Sequence, residues 1–418
     1  MLLPTSTRDL ADEFVGLERS FWDVAKEIEE RVGTPFYAYF PQRAATGFEA
    51  MVAGAAVWGQ VRVAFSVKTN PLAALLQDLE RRGAYAEVVS EWEFSQARAA
   101  GFSPDRIVFN GPHKPDAELR RVLATPPFTI NIDSLDELDV LERNLGYASG
   151  AVAVGLRICP PRARGSLSRF GLEFETGEVH TGIVRCLNNP SLQLRCIHFH
   201  LGTQVQDGER YAEVVRIAQR MWRDHGFAND VCLDIGGGFP YDHARTFEGQ
   251  PLVLGRFFAA LASAWGTGPR PPLLIEPGRI IAAPTMAVVS RVLARKPRSN
   301  EPTIIVLDSG TNHNVMAAFY EHAWSYAAAG LDAGHRLCGP LCMEDDNLSG
   351  LRNAPLPELG ALVATLNAGA YSLALARTFI QPRPPIFRIN PNGSYEQLEG
   401  RETRGQAYAC GSSSAMLP

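Results

Sequence analysis

Short β-branched and apolar runs alternate with amphipathic stretches through the first two thirds of the chain. Arg62–Val67, Ala84–Val89, Arg106–Phe109, Phe128–Ile132, Ala151–Ile158, Leu192–Phe199, Val231–Ile235 and Pro272–Ile275 read as strands. Between them, Leu72–Arg82, Glu91–Ala100, Asp116–Leu123, Ser134–Asn144, Glu209–Asp224 and Val253–Trp265 repeat apolar residues at three- and four-residue spacing, with charges on the other face. That is the pattern of helices that bury one side. Eight strands, most followed by a helix, over about 220 residues predict an α/β fold, a (β/α)8 barrel of the TIM type. A doubly wound open sheet is the alternative.

After Ala282 the pattern changes. Met286–Ala294, Thr303–Asp308 and Leu362–Asn367 read as longer strands with Pro and Gly between them, and helical periodicity becomes scarce. This predicts a C-terminal all-β domain, a sandwich or barrel. Pro35–Phe40 also reads as a strand, lies ahead of the barrel, and is expected to pair with the β domain. The expected division is an N-terminal segment 1–43 joining the β domain, a barrel over 44–282, and the β domain over 283–418. The tail Cys410–Pro418 is expected to be loose.

Composition narrows the classes. Hydrophobic residues make up 46% and charged residues 20% of 418, the balance of a globular protein rather than a disordered one. Lys and Arg total 40 against 45 Asp and Glu, so no broad basic face for nucleic acid is expected. The N-terminus lacks a basic segment followed by an apolar one, and no run of about 18 apolar residues occurs. Neither secretion nor membrane insertion is expected. Seven scattered cysteines without a C-x-x-C pair point to reduced thiols and a cytoplasmic setting.

Active sites of such barrels form where the strands end. Those positions hold Lys68 (in FSVKTNP), Glu87, Arg157, the stretch His198–Thr203 (HFHLGT), Gly236–Gly238 (in DIGGGFP) and Glu276–Arg279 (EPGR). A lysine after a strand is ordinarily a solvated surface residue, but at a barrel mouth its amine can be desolvated and form a Schiff base. Three consecutive glycines make a tight turn, and they also let backbone N–H groups approach a phosphate. Glu276 reads either as an ion-pair partner of Arg279 or as a carboxylate facing a pyridine nitrogen. His198 and His200 share a strand face and could ligate a metal. No matching ligand follows on the later strands, so no metal is expected. His198 reads as a packed histidine and His200 as a ring that stacks on a planar cofactor.

Taken together and in order, FSVKTN, EVVSEWEFSQARAAGF, IVFNGPHK, INIDSLDEL, SRFGL, HFHLGTQ, LDIGGGFP, IEPGR, CGPLCMEDDNL and NAGAY resemble the fold-type III pyridoxal-phosphate decarboxylases of diaminopimelate, ornithine and arginine, over residues 34 to 385. The resemblance implies pyridoxal 5′-phosphate as cofactor, held by Lys68, with His200 on its ring and Glu276 at its pyridine nitrogen. It implies a phosphate site of Thr203, Gly236, Gly237, Gly238, Gly278, Arg279 and Tyr371. It also implies that Cys342 is a catalytic acid and that Cys342 and Asp346 reach the site from a second subunit, making a homodimer with shared active sites. Arg157, Glu321, Cys342, Asp346 and Tyr371 are the substrate candidates.

Two departures bear on the substrate. Met316 stands where diaminopimelate decarboxylases place an arginine for the distal carboxylate, and Met343 follows the cysteine where they place a glutamate. Diaminopimelate is therefore not expected. Glu321 and Asp346 leave a free basic amino acid open. The motifs look closer to decarboxylases of siderophore and antibiotic pathways, some of which act on conjugated or carrier-bound amino acids, and this class is the expectation. A racemase or metal hydrolase on the same barrel, or an inactive partner-binding relative, are the other readings.

Overall fold

The computed structural model describes residues 15–160, 168–245, 254–326 and 328–403. The chain forms two compact units, Ala44–Tyr241 with Pro251–Ile281, and Met1–Arg43 with Asp242–Gln250 and Ala282–Pro418.

The first unit is the barrel. Its strands are β2 (Val61–Ser66), β3 (Tyr85–Val88), β4 (Ile107–Phe109), β5 (Thr129–Ile132), β6 (Val152–Ile158), β7 (Leu192–Phe199), β8 (Cys232–Asp234) and β9 (Leu273–Ile275). All eight run parallel in sequence order, and β9 closes on β2 through the pair Val61–Leu273. The closed barrel excludes the open-sheet alternative. One interior layer holds Ala64, Val108, Cys196, Cys232 and Leu274, small and medium side chains that fill a tapering space. Two of the intervening helices start on an S-x-x-E pair. Ser90 and Ser134 accept the N–H groups of Glu93 and Glu137, and those glutamates accept the N–H groups of Val89 and Asp133 at 2.8 Å. A helix over Glu178–Asn188, absent from the sequence-based expectation, completes the turn between β6 and β7.

The second unit is a mixed sheet whose nine strands, among the described residues, are β1 (Phe36–Tyr39), β10 (Met286–Lys296), β11 (Thr303–Leu307), β12 (Trp324–Tyr326), β13 (Ala328–Cys338), β14 (Arg352–Pro357), β15 (Leu362–Thr365), β16 (Ile386–Ile389) and β17 (Tyr395–Glu399). Its path is β14–β13–β11–β10–β1–β16–β17, to which β15 adds by pairing with β10 and β12. The N-terminal strand lies inside this sheet, antiparallel to β10 (Phe36–Val289) and parallel to β16 (Tyr37–Ile386). One long helix, Val15–Val32, joins the unit. Its stripe of Phe21, Val24, Ala25 and Ile28 packs against Phe36, Ala38, Val289 and Phe387.

One segment departs from the expected division. Residues 242–245, expected within the barrel domain, group with the sheet unit. The His243 carbonyl accepts the N–H of Ala323 and the amide of Asn367, which also donates to the Arg245 carbonyl at 2.8 Å. Among the described residues no helix is long and apolar enough to cross a membrane. The tail Cys410–Pro418 lies outside the described residues, and the other six cysteines are free thiols.

Candidate active site

Strand β2 ends in a single 3-10 turn, Val67–Thr69, which carries Lys68. The Lys68 ammonium pairs with the carboxylate of Glu87, on β3, which is 1% exposed. Burial works to raise the Glu87 carboxyl. The Lys68 charge and hydrogen bonds from Lys68, Ser66 and Asn110 outweigh it and hold the group below its ordinary value.

Asn110 follows β4 and links this pair to Glu276 at the end of β9. Its amide nitrogen donates to Glu276 Oε1 at 2.6 Å and to Glu87 Oε1 at 3.0 Å. Its oxygen accepts from Asn131 Nδ2, on β5, at 2.7 Å. Gly155 on β6 makes room for this chain of amides: a Cβ there would stand 1.8 Å from Asn131 Oδ1.

Burial, then the Glu87 charge, push Glu276 up to about 7, against the Lys68 charge and hydrogen bonds from Asn110 and Asp234. Asp234, at the end of β8, is driven well above the usual carboxylate range by burial and by Glu276. It therefore sits as the neutral acid beside Glu276, with its Oδ1 accepting from Gly236 N at 2.8 Å. His198 is buried, its Nε2 lies 3.7 Å from Glu276 Oε2, and neither ring nitrogen has a hydrogen-bond partner. Burial, then Arg157, hold it well below the ordinary imidazole value, so the ring is neutral.

His200 is held down to about 4, by burial first and then by Arg157 and Lys68. Its Nδ1 accepts from Gly237 N at 3.4 Å, which places the proton of the neutral ring on Nε2. The glycine run is required by close approach: a Cβ on Gly237 would stand 2.3 Å from the Glu276 carbonyl, and one on Gly238 would stand 2.1 Å from the Gly202 carbonyl. Gly278 is similarly placed, 2.1 Å from Thr69 Oγ1 for an added Cβ.

His198, His200 and Glu276 offer ligand atoms within 4.8 Å of one another. The donor set suits a protonated pyridine better: a buried carboxylate with one free-standing charge to satisfy, a neutral ring beside it, a lysine on the adjacent strand end, and backbone N–H groups of a glycine turn for a phosphate. Pyridoxal 5′-phosphate fits these residues.

The remaining candidates divide by unit. On the barrel, Thr203 is exposed and Arg279 half-buried. Arg157 pairs with Asp133 at 2.9 Å and lies over the Phe170 ring at 4.3 Å. Cys342, Asp346, Glu321, Tyr371, Met316 and Met343 belong to the sheet unit. Cys342 and Met343 are exposed and Met316 is buried. Both oxygens of Asp346 are taken by backbone and hydroxyl donors of two loops of the sheet unit, Thr311 N, Thr311 Oγ1 and Leu341 N. Glu321 accepts from Gly350 N at 2.7 Å and pairs with Arg352 at 3.5 Å. Tyr371 has a φ of 64°, a left-handed conformation rare for a bulky residue and often found at functional positions.

Sequence reading passed over Asn110, Asn131, Asp234 and Lys114. Asn110 sits directly after a barrel strand, so the rule that singles out Lys68 reaches it too. Lys114 is fully buried, and donates to Gly111 O, Asn131 O and Glu137 Oε1. The chain has only four lysines, at 26, 68, 114 and 296. Two of them lie in the sheet unit and Lys114 has all three protons engaged, so Lys68 is the barrel lysine available for covalent chemistry.

A closed eight-stranded barrel with a lysine after its first strand, a glycine turn after its seventh and a buried glutamate after its eighth defines a barrel enzyme that holds a phosphorylated pyridine cofactor. Residues 48–283 match the family model of the pyridoxal-dependent decarboxylases, pyridoxal-binding domain, and the chain belongs to that family. It is 28% identical to a diaminopimelate decarboxylase of Bacillus subtilis, over 90% of this chain and 91% of that one. It is 27% identical to an L-glutamyl-[BtrI acyl-carrier protein] decarboxylase of Niallia circulans, over 91% and 94%. Its fold is similar to that of the diaminopimelate decarboxylase of M. jannaschii in co-complex with L-lysine, with a TM-score of 0.85 at 22% identity over 94% of each chain. The protein is a pyridoxal-phosphate-dependent amino-acid decarboxylase.

Proposed function

We propose that this decarboxylase removes the α-carboxylate of an amino acid presented in conjugated or carrier-bound form, in a specialised biosynthetic pathway. The observation that carries this reading is the engagement of both candidate grips for a free distal ammonium. Asp346 is committed to Thr311 and Leu341, and Glu321 to Gly350 and Arg352. The buried Met316 offers no charge to a distal carboxylate, and burying one unpaired would be costly. A relative named as acting on a carrier-bound glutamyl group supports the same reading. The second reading is a free basic amino acid, favoured by Glu344 and Asp345 beside Cys342.

When bound, pyridoxal phosphate supplies an electron sink for the pair left by departing carbon dioxide. Lys68 would hold the cofactor covalently and is kept in place by Glu87. Glu276, steadied by Asn110 and the neutral Asp234, would offer its carboxylate to the pyridine nitrogen. His200, neutral, would pack on the ring without adding charge. Gly236, Gly237, Gly238, Gly278, Arg279, Thr203 and Tyr371 would bind the phosphate, and Arg157 and Tyr371 would border the substrate. The partner subunit's Cys342 delivers the proton to Cα, so the working form is a homodimer.

Borohydride reduction followed by peptide mapping tests the covalent assignment. The label is expected on Lys68 alone and absent from Lys68→Ala; a label on another lysine would refute it. Carbon dioxide release measured over free and carrier-bound amino acids tests the substrate. Turnover confined to free basic amino acids would favour the second reading.

A further inference from the structure

The buried network holds a conflict of like charges. Glu87 and Glu276 are both fully buried carboxylates, and both face the same interior space. The charged or titratable groups around them are Lys68 on the β2 side, Glu93 near Glu87, Asp234 on β8, Cys196, His198 and His200 on the β7 side, and Arg157 and Lys114 beyond the histidines. Asp234 and both histidines are neutral, and among the described residues Lys68 is the cation whose charge acts on both carboxylates. Its ion pair is with Glu87. The group that touches both carboxylates is an uncharged amide, Asn110.

We propose that Asn110 is the positioning residue of this active site: its single amide nitrogen clamps Glu87 and Glu276 together, so that Glu276 stays an anion aimed at the cofactor while Lys68 remains committed to Glu87. The clamp is itself fixed, because Asn131 donates to the Asn110 oxygen and so orients its nitrogen towards the carboxylates. An aspartate at 110 would put a third carboxylate in the cluster, and an alanine would leave two bare ones. In either case one carboxylate takes a proton, and Glu276, without its own cation, is the one. The inference rests on the reading of Glu276 as the partner of the pyridine nitrogen.

The test is cofactor binding to the full-length protein as a function of pH, read by protein fluorescence and by the visible absorbance of the bound pyridoxal phosphate. In the native protein the affinity is expected to change around the Glu276 value of about 7. An ionic hydrogen bond is worth about one to two pH units. Asn110→Ala is therefore expected to move the midpoint up by that amount, and to weaken binding at about pH 7.5 by about threefold to 25-fold. Adding Glu87→Gln to Asn110→Ala removes the like charge and is expected to return the midpoint towards the native value, a rescue that a purely structural role would not give. If Asn110→Ala fails to fold, Asn110→Ser, which retains one donor in place of two, is expected to show the same upward shift. A folded Asn110 variant with the native midpoint would overturn the proposal. Glu276→Gln is the control for the underlying reading and is expected to abolish the midpoint. If it does so while the Asn110 variants leave the midpoint in place, the clamp alone fails; if Glu276→Gln keeps the native midpoint, the assignment of Glu276 fails and the clamp with it.

Discussion

Asp346 Oδ2 accepts the backbone N–H of Leu341 at 2.8 Å, one residue ahead of Cys342, while Oδ1 accepts the N–H and hydroxyl of Thr311 at 2.7 and 3.0 Å. The carboxylate thus ties two loops of the sheet unit and sets the backbone that presents the thiol. Gly339 belongs to the same arrangement, since a Cβ there would lie 2.1 Å from Asp346 Oδ2. Asp346→Asn puts an NH2 group against one of these donors. We expect kcat to fall about ten- to a hundredfold with cofactor affinity unchanged, the scale of one or two charged hydrogen bonds. Steady-state kinetics beside a cofactor titration checks this; an equal loss of cofactor binding would show that the loop serves the barrel site as a whole.

Diaminopimelate is expected to be a poor substrate, at least about 100-fold below the best one in kcat/KM, because a site without the groups that pair a distal charge rejects it. Met316 and Met343 supply none. A kcat/KM on meso-diaminopimelate matching that of the best substrate would show that the alignment of Met316 with the missing arginine is wrong.

If a site is completed by the partner subunit's Cys342, two defective chains should complement each other. Lys68→Ala and Cys342→Ala are each expected to be inactive. Random exchange makes about half the dimers mixed, each with one intact site, so about a quarter of native activity should return. Mixtures that exchange subunits yet stay as inactive as either parent would place the thiol's action within its own chain.

Acid stability should carry a signature of neutral histidines. His200 and His313 are both lowered to about 4 by burial. A lowered imidazole contributes stability that is present above its unfolded value of about 6.5 and is lost as pH falls through about 4. Glu276, raised to about 7, acts in the opposite sense: its contribution is present below about 4.5 and lost as pH rises through about 7. The melting temperature is expected to drop between about pH 6.5 and 4, and less so in His313→Gln. Thermal scans across that range check it; an identical profile in the variant would remove His313 from the effect.

The sequence alone determined the barrel. Each of the eight strands lies within a residue or two of its apolar run, because buried parallel strands must be apolar on both faces and the intervening helices on one. The same rhythm placed Lys68, His200, the glycine turn and Glu276, since the end of a strand is a local feature of the chain. Even the remote pairing of the first strand with the β domain was legible, because Pro35–Phe40 has the pattern of a strand and no place in the barrel. What the tertiary structure decided is which polar residues meet. Asn110 reaches Glu276 across 166 residues of sequence and Glu87 across 23, and Asn131 and Gly155 fix its orientation from two further strands. A polar residue after a strand looks the same whether it is solvated or clamped; only closure of the barrel, which brings eight strand ends to one ring, removes the water and makes each hydrogen bond count. Likewise Asp346 reads in sequence as a free acid near a cysteine, and only the folded loop shows its oxygens already taken by Thr311 and Leu341, because backbone N–H groups acquire direction only once the chain has turned.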